Sequence, residues 1–392
     1  MRRLVLLGAG ASAEAGIPTT VELTERILAA FGERHGEHSR ALNFICGQII
    51  GFDSARGVSP YVSLDVERVF SAIELLAERA TLEVAPFVST WHPGVDAFDT
   101  VPGNGLSTSW AREFHESIAG SRFGGPSASA LQRKFEEGVR ELTGSTSRGV
   151  YRSLLTAVTQ RLRELLAIPE TSVLSYLAPL IDCGAATVAT LNYDQSIELL
   201  CRDLSVPVHV GIADWTSRGE LSWGEGGIRL LKLHGSIDWS FGNDNGGRGR
   251  IADRPIEVNE ELAKRGLPAV VFGQRGKLTA EGPFLELLAE FDRSLREADE
   301  LLVVGYSFRD AHVNEYIKRW ANADATRTIV VVDPQFPKSQ WPRDFRVELQ
   351  LALMPRDNPN LPLPTRMTVI REPASVGIPL ALALAVGSDG DR

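Results

Sequence analysis

Two polar side chains that could take part in acid–base chemistry each follow a short apolar run of the chain. His234 comes directly after Arg229–Leu233, and Asn192 comes directly after Thr187–Leu191. An imidazole can accept a proton near neutral pH, and a side-chain amide both donates and accepts hydrogen bonds. Ligands of open α/β sheets bind beyond the carboxyl ends of the strands, which is where these two residues would stand. A hydrogen-bonded structural histidine and a helix-capping asparagine remain alternatives.

Asp194 lies two residues after Asn192, where the pattern of the chain changes from strand to helix. Its carboxylate would either cap the helix that follows or accept hydrogen bonds from the hydroxyls of a ribose. Because short polar side chains are common at helix starts for capping alone, both interpretations stay open for this residue.

A glycine-rich turn follows the first apolar run of the chain, Leu4–Leu7. Gly8, Gly10 and Ala13 satisfy the pattern G-x-G-x-x-[G/A] between a strand and a helix. Such glycines let the backbone approach a pyrophosphate at a helix N-terminus, and Ser12 would add a hydroxyl donor. Dehydrogenases of this pattern also carry an acidic residue about 20 residues on, at the end of a second strand. Here that stretch has a helical pattern, which argues against a dehydrogenase, and a turn without a ligand is the alternative.

A second turn of this kind occurs later in the chain. Gly305 and Ser307 follow the apolar run Leu301–Val304, and Asp333 follows the next run, Thr328–Val332. A glycine with a nearby hydroxyl suits the second half of a dinucleotide, and an acidic residue at a strand end can hold the adenosine ribose. A plain turn with a helix cap is the alternative.

Positioning these residues requires strands that alternate with helices. Short apolar runs predict strands at Leu4–Leu7, Thr187–Leu191, Val206–Val210, Arg229–Leu233, Ala269–Phe272, Leu301–Val304, Thr328–Val332 and Arg366–Arg371. Period-3.6 patterns predict helices at Val21–Phe31, Leu64–Ala80, Leu131–Leu142, Val150–Leu166, Asp194–Arg202, Phe284–Glu297 and Ala311–Ala321. The alternation indicates an α/β fold, a Rossmann-like parallel sheet with helices on both faces.

The order of these elements predicts one main domain, residues 1–345. Its sheet core would comprise residues 1–19 and 180–345, with a large helical insertion, residues 20–179, after the first strand. Residues 92–125 and 242–249 have the composition of loops. Residues 346–392 would form a C-terminal extension that ends in a packed apolar segment, Ile378–Val386.

The composition narrows the class of protein. The chain has 392 residues and a net charge of −9, an acidic balance that fits poorly with gripping nucleic acid through its phosphates. Three cysteines provide neither a disulfide framework nor a four-thiolate zinc site, and we expect no metal. No run reaches the roughly 18 apolar residues of a membrane span, and the N-terminal run is too short for a signal peptide. We therefore expect a cytoplasmic protein.

Taken together, the four motifs resemble the sirtuin-like superfamily. They occur in the order of that family: Gly8–Ser12 with Gly16–Pro18, Thr190–Asp194, Leu233–Gly235, and Gly305–Ser307. The resemblance covers about residues 1–19 and 180–335. The protein deacylases of the superfamily have Asp-Phe-Arg after Gly-Ile-Pro, whereas this chain has Thr19-Thr20-Val21. They also carry a four-cysteine zinc ribbon and lack the long insertion, so the chain is more similar to the sirtuin-like proteins of prokaryotic anti-phage defence.

This resemblance implies an enzyme that hydrolyses NAD, as its substrate, to nicotinamide and ADP-ribose. Asn192 would orient the water or the nicotinamide ribose, His234 would take a proton, and Asp194 would support the ribose or Asn192. The residues implied on the pyrophosphate side are Gly8, Ala9, Gly10, Ser12 and Thr19, and those on the adenosine side are Gly305, Ser307 and Asp333.

The resemblance also implies assembly with other chains. We expect a homo-oligomer, activated by assembly or by a partner such as a HerA-type ATPase or a short Argonaute, with no direct contact to nucleic acid or membrane. Three alternatives remain: an NAD-dependent protein deacylase, a nuclease, and a non-catalytic subunit that senses NAD or ADP-ribose. The last would need neither Asn192 nor His234.

Overall fold

The structure of the protein is a computed structural model. It describes residues 2–32, 36–57, 64–79, 95, 149–168, 170–184, 186–215, 219–241, 256–258, 268–270, 282–336 and 366–387. The chain divides into two compact units, one of Met1–Ile27, Gly57–Ser71 and Val158–Arg392, the other of Leu28–Arg56 and Ala72–Ala157. The second unit falls inside the predicted helical insertion, and its described elements are helices. The predicted helix 131–142 and the predicted loops 92–125 and 242–249 lie outside the described residues.

A parallel sheet of seven strands forms the centre of the first unit, in the order β10-β9-β8-β1-β2-β4-β3. The α/β fold is therefore as predicted. The strands are β1 (Arg3–Leu7), β2 (Thr187–Thr190), β3 (Val208–His209), β4 (Ile228–Lys232), β8 (Glu300–Val304), β9 (Thr328–Val332) and β10 (Met367–Ile370).

Helices connect several of the strands along the chain. The helices of the described residues are α1 (Thr20–Gly32), α2 (Glu37–Ser54), α3 (Val66–Glu78), α4 (Val150–Leu166), α5 (Ala178–Asp182), α6 (Ser196–Asp203), α7 (Phe284–Glu297), α8 (Ala311–Ala323) and α9 (Ala374–Gly387). Two 3₁₀ helices, Ala9–Ala15 and Thr171–Leu177, complete them. All the predicted helices that lie within the described residues are confirmed to within a few residues, whereas α2 was not predicted.

Both faces of the sheet are buried, as continuous apolar strands require. Successive side chains of β1 point to opposite faces, so Leu4 and Leu6 belong to one hydrophobic cluster while Val5 and Leu7 belong to the other. Helices α7 and α8 cover the first cluster. Helices α5, α6 and α9 and both 3₁₀ helices cover the second.

A strand is confirmed in part of the predicted range 269–272, but it does not belong to the parallel sheet. The strand there, β7 (Pro268–Val270), belongs to a separate three-stranded sheet in the order β6-β5-β7. It pairs antiparallel with β5 (Gly235–Phe241), as does β6 (Ile256–Val258). Strand β5 begins directly after the motif histidine and was not predicted, because a glycine and an aspartate interrupt its apolar pattern.

The predicted strand at residues 366–371 is confirmed as β10, which pairs in parallel with β9. The apolar segment that follows it forms α9, which packs on the second cluster through Ala374, Ile378 and Ala381. Within the described residues, no single helix is both long enough and apolar enough to span a membrane. One bent pair of helices, Val150–Leu166 with Thr171–Asp182, meets the length and composition requirements when the two are taken together.

Candidate active site at the carboxyl ends of the strands

The parallel register brings the four motifs to one edge of the sheet. Leu7, the last residue of β1, pairs with Thr190 of β2 on one side and with Val304 of β8 on the other. Thr190 in turn pairs with Lys232 of β4. The strand order reverses its direction at β1, since β2, β4 and β3 lie on one side and β8, β9 and β10 on the other. In open α/β sheets a crevice forms at such a reversal, and ligands bind there.

The glycine turn after β1 is packed closely against the turn after β8. The N–H groups of Gly8 and Gly10 donate to the carbonyl oxygens of Val304 and Gly305, both at 2.9 Å. A Cβ on Gly305 would lie 2.2 Å from the Ala11 nitrogen, and the φ of Gly305 is +62°. The glycines are therefore required for backbone contact between the two turns, and the N–H groups of Gly8 and Gly10 already have partners within the protein.

Asn192 is held by both hydrogens of its side-chain amide. Its Nδ2 donates to the carbonyl oxygen of Gly8 at 3.0 Å and to Ser12 Oγ at 3.1 Å. The backbone N–H of Asn192 donates to Thr190 Oγ1 at 3.0 Å, which fixes the turn that carries it. No donor among the described residues reaches Oδ1 of Asn192. This oxygen remains an acceptor for a ligand or a water.

Asp194 supports Asn192 through a short relay of hydroxyls. Its Oδ1 accepts from the N–H of Ser196 at 2.9 Å and from the Ser196 hydroxyl at 2.5 Å. The Ser196 hydroxyl lies 3.2 Å from Ser12 Oγ, which contacts Asn192. The carboxylate therefore fixes Ser196, the first residue of α6, and among the contacts of the described residues it reaches Asn192 through Ser196 and Ser12.

A buried lysine fixes the backbone of the same turn. Lys232 is fully buried, and its Nζ donates to the Asp194 carbonyl and to Glu198 Oε1, both at 2.6 Å. Burial raises the pKa of Glu198, while the ammonium of Lys232 acts in the opposite direction. Lys232 lies between two leucines of a predicted buried strand, and this position could have predicted a buried, paired lysine. The sequence interpretation did not include it.

His234 is paired with a carboxylate that the sequence analysis did not assign. Its Nε2 lies 2.7 Å from Asp310 Oδ2, and both side chains are buried. Asp310 is also the N-cap of α8, since its Oδ1 accepts the N–H groups of His312 and Val313. In the described part of the chain, no group forms a hydrogen bond with Nδ1 of His234. The ring therefore has one nitrogen fixed by the protein and one left for chemistry.

Tyr193 lies beside the histidine, with ring centroids 6.2 Å apart and an interplanar angle of 31°. Its hydroxyl donates to Glu67 Oε1 at 3.3 Å, at the start of α3. Burial raises the pKa of Tyr193, and the carboxylates of Glu67 and Asp65 raise it further, so the phenol stays protonated and remains a donor. Asp65 also pairs with Arg309 of the β8 motif at 3.5 Å. No pattern of residue types predicted these contacts of residues 65–67.

The remaining predicted binding residues have separate roles. Thr19 precedes α1, and its N–H and hydroxyl donate to Glu22 Oε2 at 2.8 and 3.0 Å. Asp333 follows β9, and its Oδ1 accepts the N–H of Gln335 at 2.8 Å. Ser307 is half-buried in the turn after β8. Asp333 and Ser307 share the edge of the sheet with the other motifs, and their contacts to a ligand stay a prediction.

The described residues contain no cluster of three or more His, Cys, Asp or Glu side chains that could hold a metal ion. The chemistry that the arrangement itself offers is that of a fixed amide oxygen, a buried imidazole and two closely packed turns.

Comparison with known proteins agrees with the sirtuin-like motifs. Residues 186–350 match the family described as SIR2-like domain, a span that contains Asn192, Asp194, His234 and Asp310. A solved structure titled as the structural basis for the mechanism and regulation of Sir2 enzymes is 14% identical, with 99% of this chain and 93% of that chain covered and a TM-score of 0.37. A Sir2 homologue–NAD complex is 12% identical, with 99% and 90% covered and a TM-score of 0.36. Among curated proteins, no match is found.

Proposed function

We propose that the protein is an NAD hydrolase that cleaves NAD to nicotinamide and ADP-ribose. The observation that carries this proposal is the pair of polar groups at adjacent strand ends. Asn192 Oδ1 and His234 Nδ1 have no hydrogen-bond partner among the described residues, and each belongs to a side chain whose other polar atom is fixed by the protein. The SIR2-like match over residues 186–350 supports the same conclusion. In this reaction NAD is the substrate, and the mechanism requires no metal.

Breaking the bond between the nicotinamide ring and the ribose requires little acid catalysis. The electron pair of the C1′–N bond moves onto the pyridinium nitrogen and neutralises it, while positive charge develops on the ribose. The lone pairs of Asn192 Oδ1 would stabilise this charge or orient the incoming water. The water adds at C1′, and His234 Nδ1 takes the proton that it loses.

The two glycine turns would hold the rest of the dinucleotide. This part of the proposal is supported by the contact between the turns after β1 and β8, which lies beside Asn192 at the carboxyl edge of the sheet. The residues proposed for the pyrophosphate side are Gly8, Ala9, Gly10, Ser12 and Thr19, and those for the adenosine side are Gly305, Ser307 and Asp333.

The biological setting that we propose follows from the resemblance to defence proteins. Hydrolysis of NAD in the cytoplasm of an infected bacterium would deplete the cofactor and stop phage growth. Activation would come from homo-oligomer assembly or from a partner such as a HerA-type ATPase or a short Argonaute.

The test is release of nicotinamide from NAD by the purified protein, measured by chromatography over a range of protein concentrations, since assembly is proposed to activate it. Asn192→Ala and His234→Ala are compared with His209→Ala, a control on the edge strand β3. Removing a general base typically costs about 10²–10⁴-fold and removing a charge-stabilising group about 10²–10³-fold, so we expect such losses in His234→Ala and Asn192→Ala respectively, and none in the control.

Two outcomes would contradict the proposal. Release that persists in both Asn192→Ala and His234→Ala would refute the assignment of the site. Binding of NAD, measured by calorimetry, without release at any concentration or with any partner would instead favour the non-catalytic sensing subunit.

A further inference from the structure

Asp310 uses its two carboxylate oxygens for two different tasks. Oδ2 contacts His234 Nε2 at 2.7 Å, across 76 positions of sequence. Oδ1 accepts the N–H of His312 at 2.9 Å and that of Val313 at 3.3 Å, at the start of α8. A carboxylate with one oxygen fixed by a helix N-terminus cannot rotate freely, so the direction of the other oxygen is set by α8.

The residues around Asp310 restrict it further. Its backbone N–H donates to the hydroxyl of Tyr306 at 3.2 Å, and that hydroxyl donates to Asn314 Oδ1 at 2.9 Å. Asn314 Nδ2 donates to the Phe308 carbonyl at 2.7 Å, which closes the network within the turn. Burial raises the pKa of Tyr306, so its hydroxyl keeps the proton that this network needs. The residues of this network are buried.

We propose that Asp310 is the positioning residue of His234, and that it selects the tautomer of the imidazole. An ionised carboxylate only accepts hydrogen bonds, so Nε2 must carry the proton in their contact. In the neutral ring Nδ1 is then the basic nitrogen, and it is the one that has no hydrogen-bond partner among the described residues. The inference rests on the proposed function for its kinetic consequence, whereas the tautomer can be measured without any turnover.

The alternative is that Asp310 only caps α8, and Asp310→Asn separates the two. Asparagine is as good an N-cap as aspartate, so the helix start is kept. Asparagine has a single side-chain oxygen, and this oxygen must accept the N–H groups of His312 and Val313 to keep the cap. The NH₂ group of the asparagine then faces His234. An NH₂ group only donates, so Nε2 becomes the acceptor and the proton moves to Nδ1. A single amide substitution should therefore invert the tautomer.

The experiment records long-range ¹H–¹⁵N correlation spectra of the imidazoles in the ¹⁵N-labelled full chain, with the His234 signals assigned from their loss in His234→Gln. We expect the Nε2–H pattern in wild type and the Nδ1–H pattern in Asp310→Asn. The same variant should lose about 10²-fold or more in kcat while its affinity for NAD is kept, because the base is misprotonated but still present. The matched control is Asp324→Asn, beyond the other end of α8, where the carboxylate is exposed and accepts from Thr326.

Each outcome decides between the two roles. An unchanged tautomer together with unchanged kcat in Asp310→Asn would overturn the proposal and leave Asp310 as a cap. Should Asp310→Asn fail to fold, Asp310→Ser keeps a capping oxygen that is too short to reach His234, and a mixture of tautomers is then expected. If wild type releases no nicotinamide, but the His234 tautomer still differs between wild type and Asp310→Asn, the proposed function fails and the positioning role of Asp310 stands.

Discussion

The side-chain amide of Asn192 donates to the backbone carbonyl of Gly8 at 3.0 Å, across 184 positions of sequence. A carbonyl oxygen only accepts, so the amide nitrogen must face the glycine turn and Oδ1 must face away from it. The same side chain thus connects β2 to the turn after β1 and keeps an acceptor at the carboxyl edge of the sheet. A substitution at this position should change stability and chemistry together.

This double role predicts that Asn192→Asp lowers the melting temperature more than Asn192→Ala does. The alanine removes the hydrogen bonds that the amide donates to Ser12 Oγ and to the Gly8 carbonyl, which keeps the N–H of Ala11, and each lost bond costs about 0.5–1.5 kcal/mol. The aspartate also places a buried negative charge against that carbonyl, and a buried unpaired charge costs more than a missing partner. Thermal unfolding at neutral pH measures the difference. Equal melting temperatures would mean that the amide of Asn192 is not held by Gly8.

The buried pair of Lys232 and Glu198 leads to a second prediction. Lys232→Met should destabilise the fold by about 3–5 kcal/mol, because it leaves Glu198, whose side chain is only 13% exposed, without its counter-charge. Adding Glu198→Leu should recover part of the loss, since an apolar pair of similar volume often replaces a buried ion pair at little cost. Urea unfolding of both single variants and the double variant gives the coupling energy.

The control for this cycle is the pair of Lys318 and Glu315 on α8, which is more exposed and has an N–O distance of 2.7 Å. Lys318→Met should cost no more than about 1 kcal/mol, as is typical of surface pairs. If Lys232→Met lowered the free energy of unfolding by as little as Lys318→Met does, the buried lysine would not be holding Glu198 and the Asp194 backbone in place.

The sequence was sufficient for the parts of the fold whose signals are local. Continuous apolar runs such as Leu4–Leu7 and Leu301–Val304 identify strands that are buried on both faces, and each of these strands was confirmed. Because such strands are parallel neighbours, residues that follow them meet at one edge. This is why Asn192 and His234 could be assigned to strand ends at one edge of the sheet without a structure, whereas the pairing of their two strands could not.

What the sequence left out depends on contacts between distant residues. The aspartate at position 310 has a sufficient local explanation as a helix cap, so its contact with His234 could not be inferred. Helix α2 contains Gly47 and Gly51, which lower helix propensity, and its stability comes from buried side chains such as Leu42 and Ile45. In α2 the low intrinsic helix propensity opposes the helix, and the burial of its apolar side chains outweighs that propensity.

The contact between Thr19 and Glu22 predicts a pH dependence. Hydrogen bonds from the Thr19 N–H and hydroxyl lower the pKa of Glu22 below 4.5, and partial burial opposes them. A lowered folded-state pKa means that the stabilisation is present above pH 4.5 and is lost as the pH falls through the lowered value. Glu22→Gln should therefore be less stable than wild type at neutral pH, with the difference vanishing in acid.

Urea unfolding from neutral to acidic pH measures this difference, and Glu25→Gln, an exposed position on the same helix, is the control. A difference between wild type and Glu22→Gln that stays constant with pH would indicate a contribution from shape or packing rather than from the charge of Glu22.

The close approach of the two glycine turns gives the last prediction, that Gly305→Ala is far more disruptive than Gly184→Ala. Both glycines have positive φ, +62° and +73°, so both substitutions cost about 1–2 kcal/mol in backbone strain. Only the first also forces a Cβ to within 2.2 Å of the Ala11 nitrogen, whereas a Cβ on Gly184 meets nothing within 4 Å. The backbone of the turn after β1 must then move, so Gly305→Ala should lose both stability and NAD binding, measured by thermal unfolding and by calorimetry. Equal effects of the two substitutions would mean that the turns can separate without cost, and that their contact does not shape the crevice.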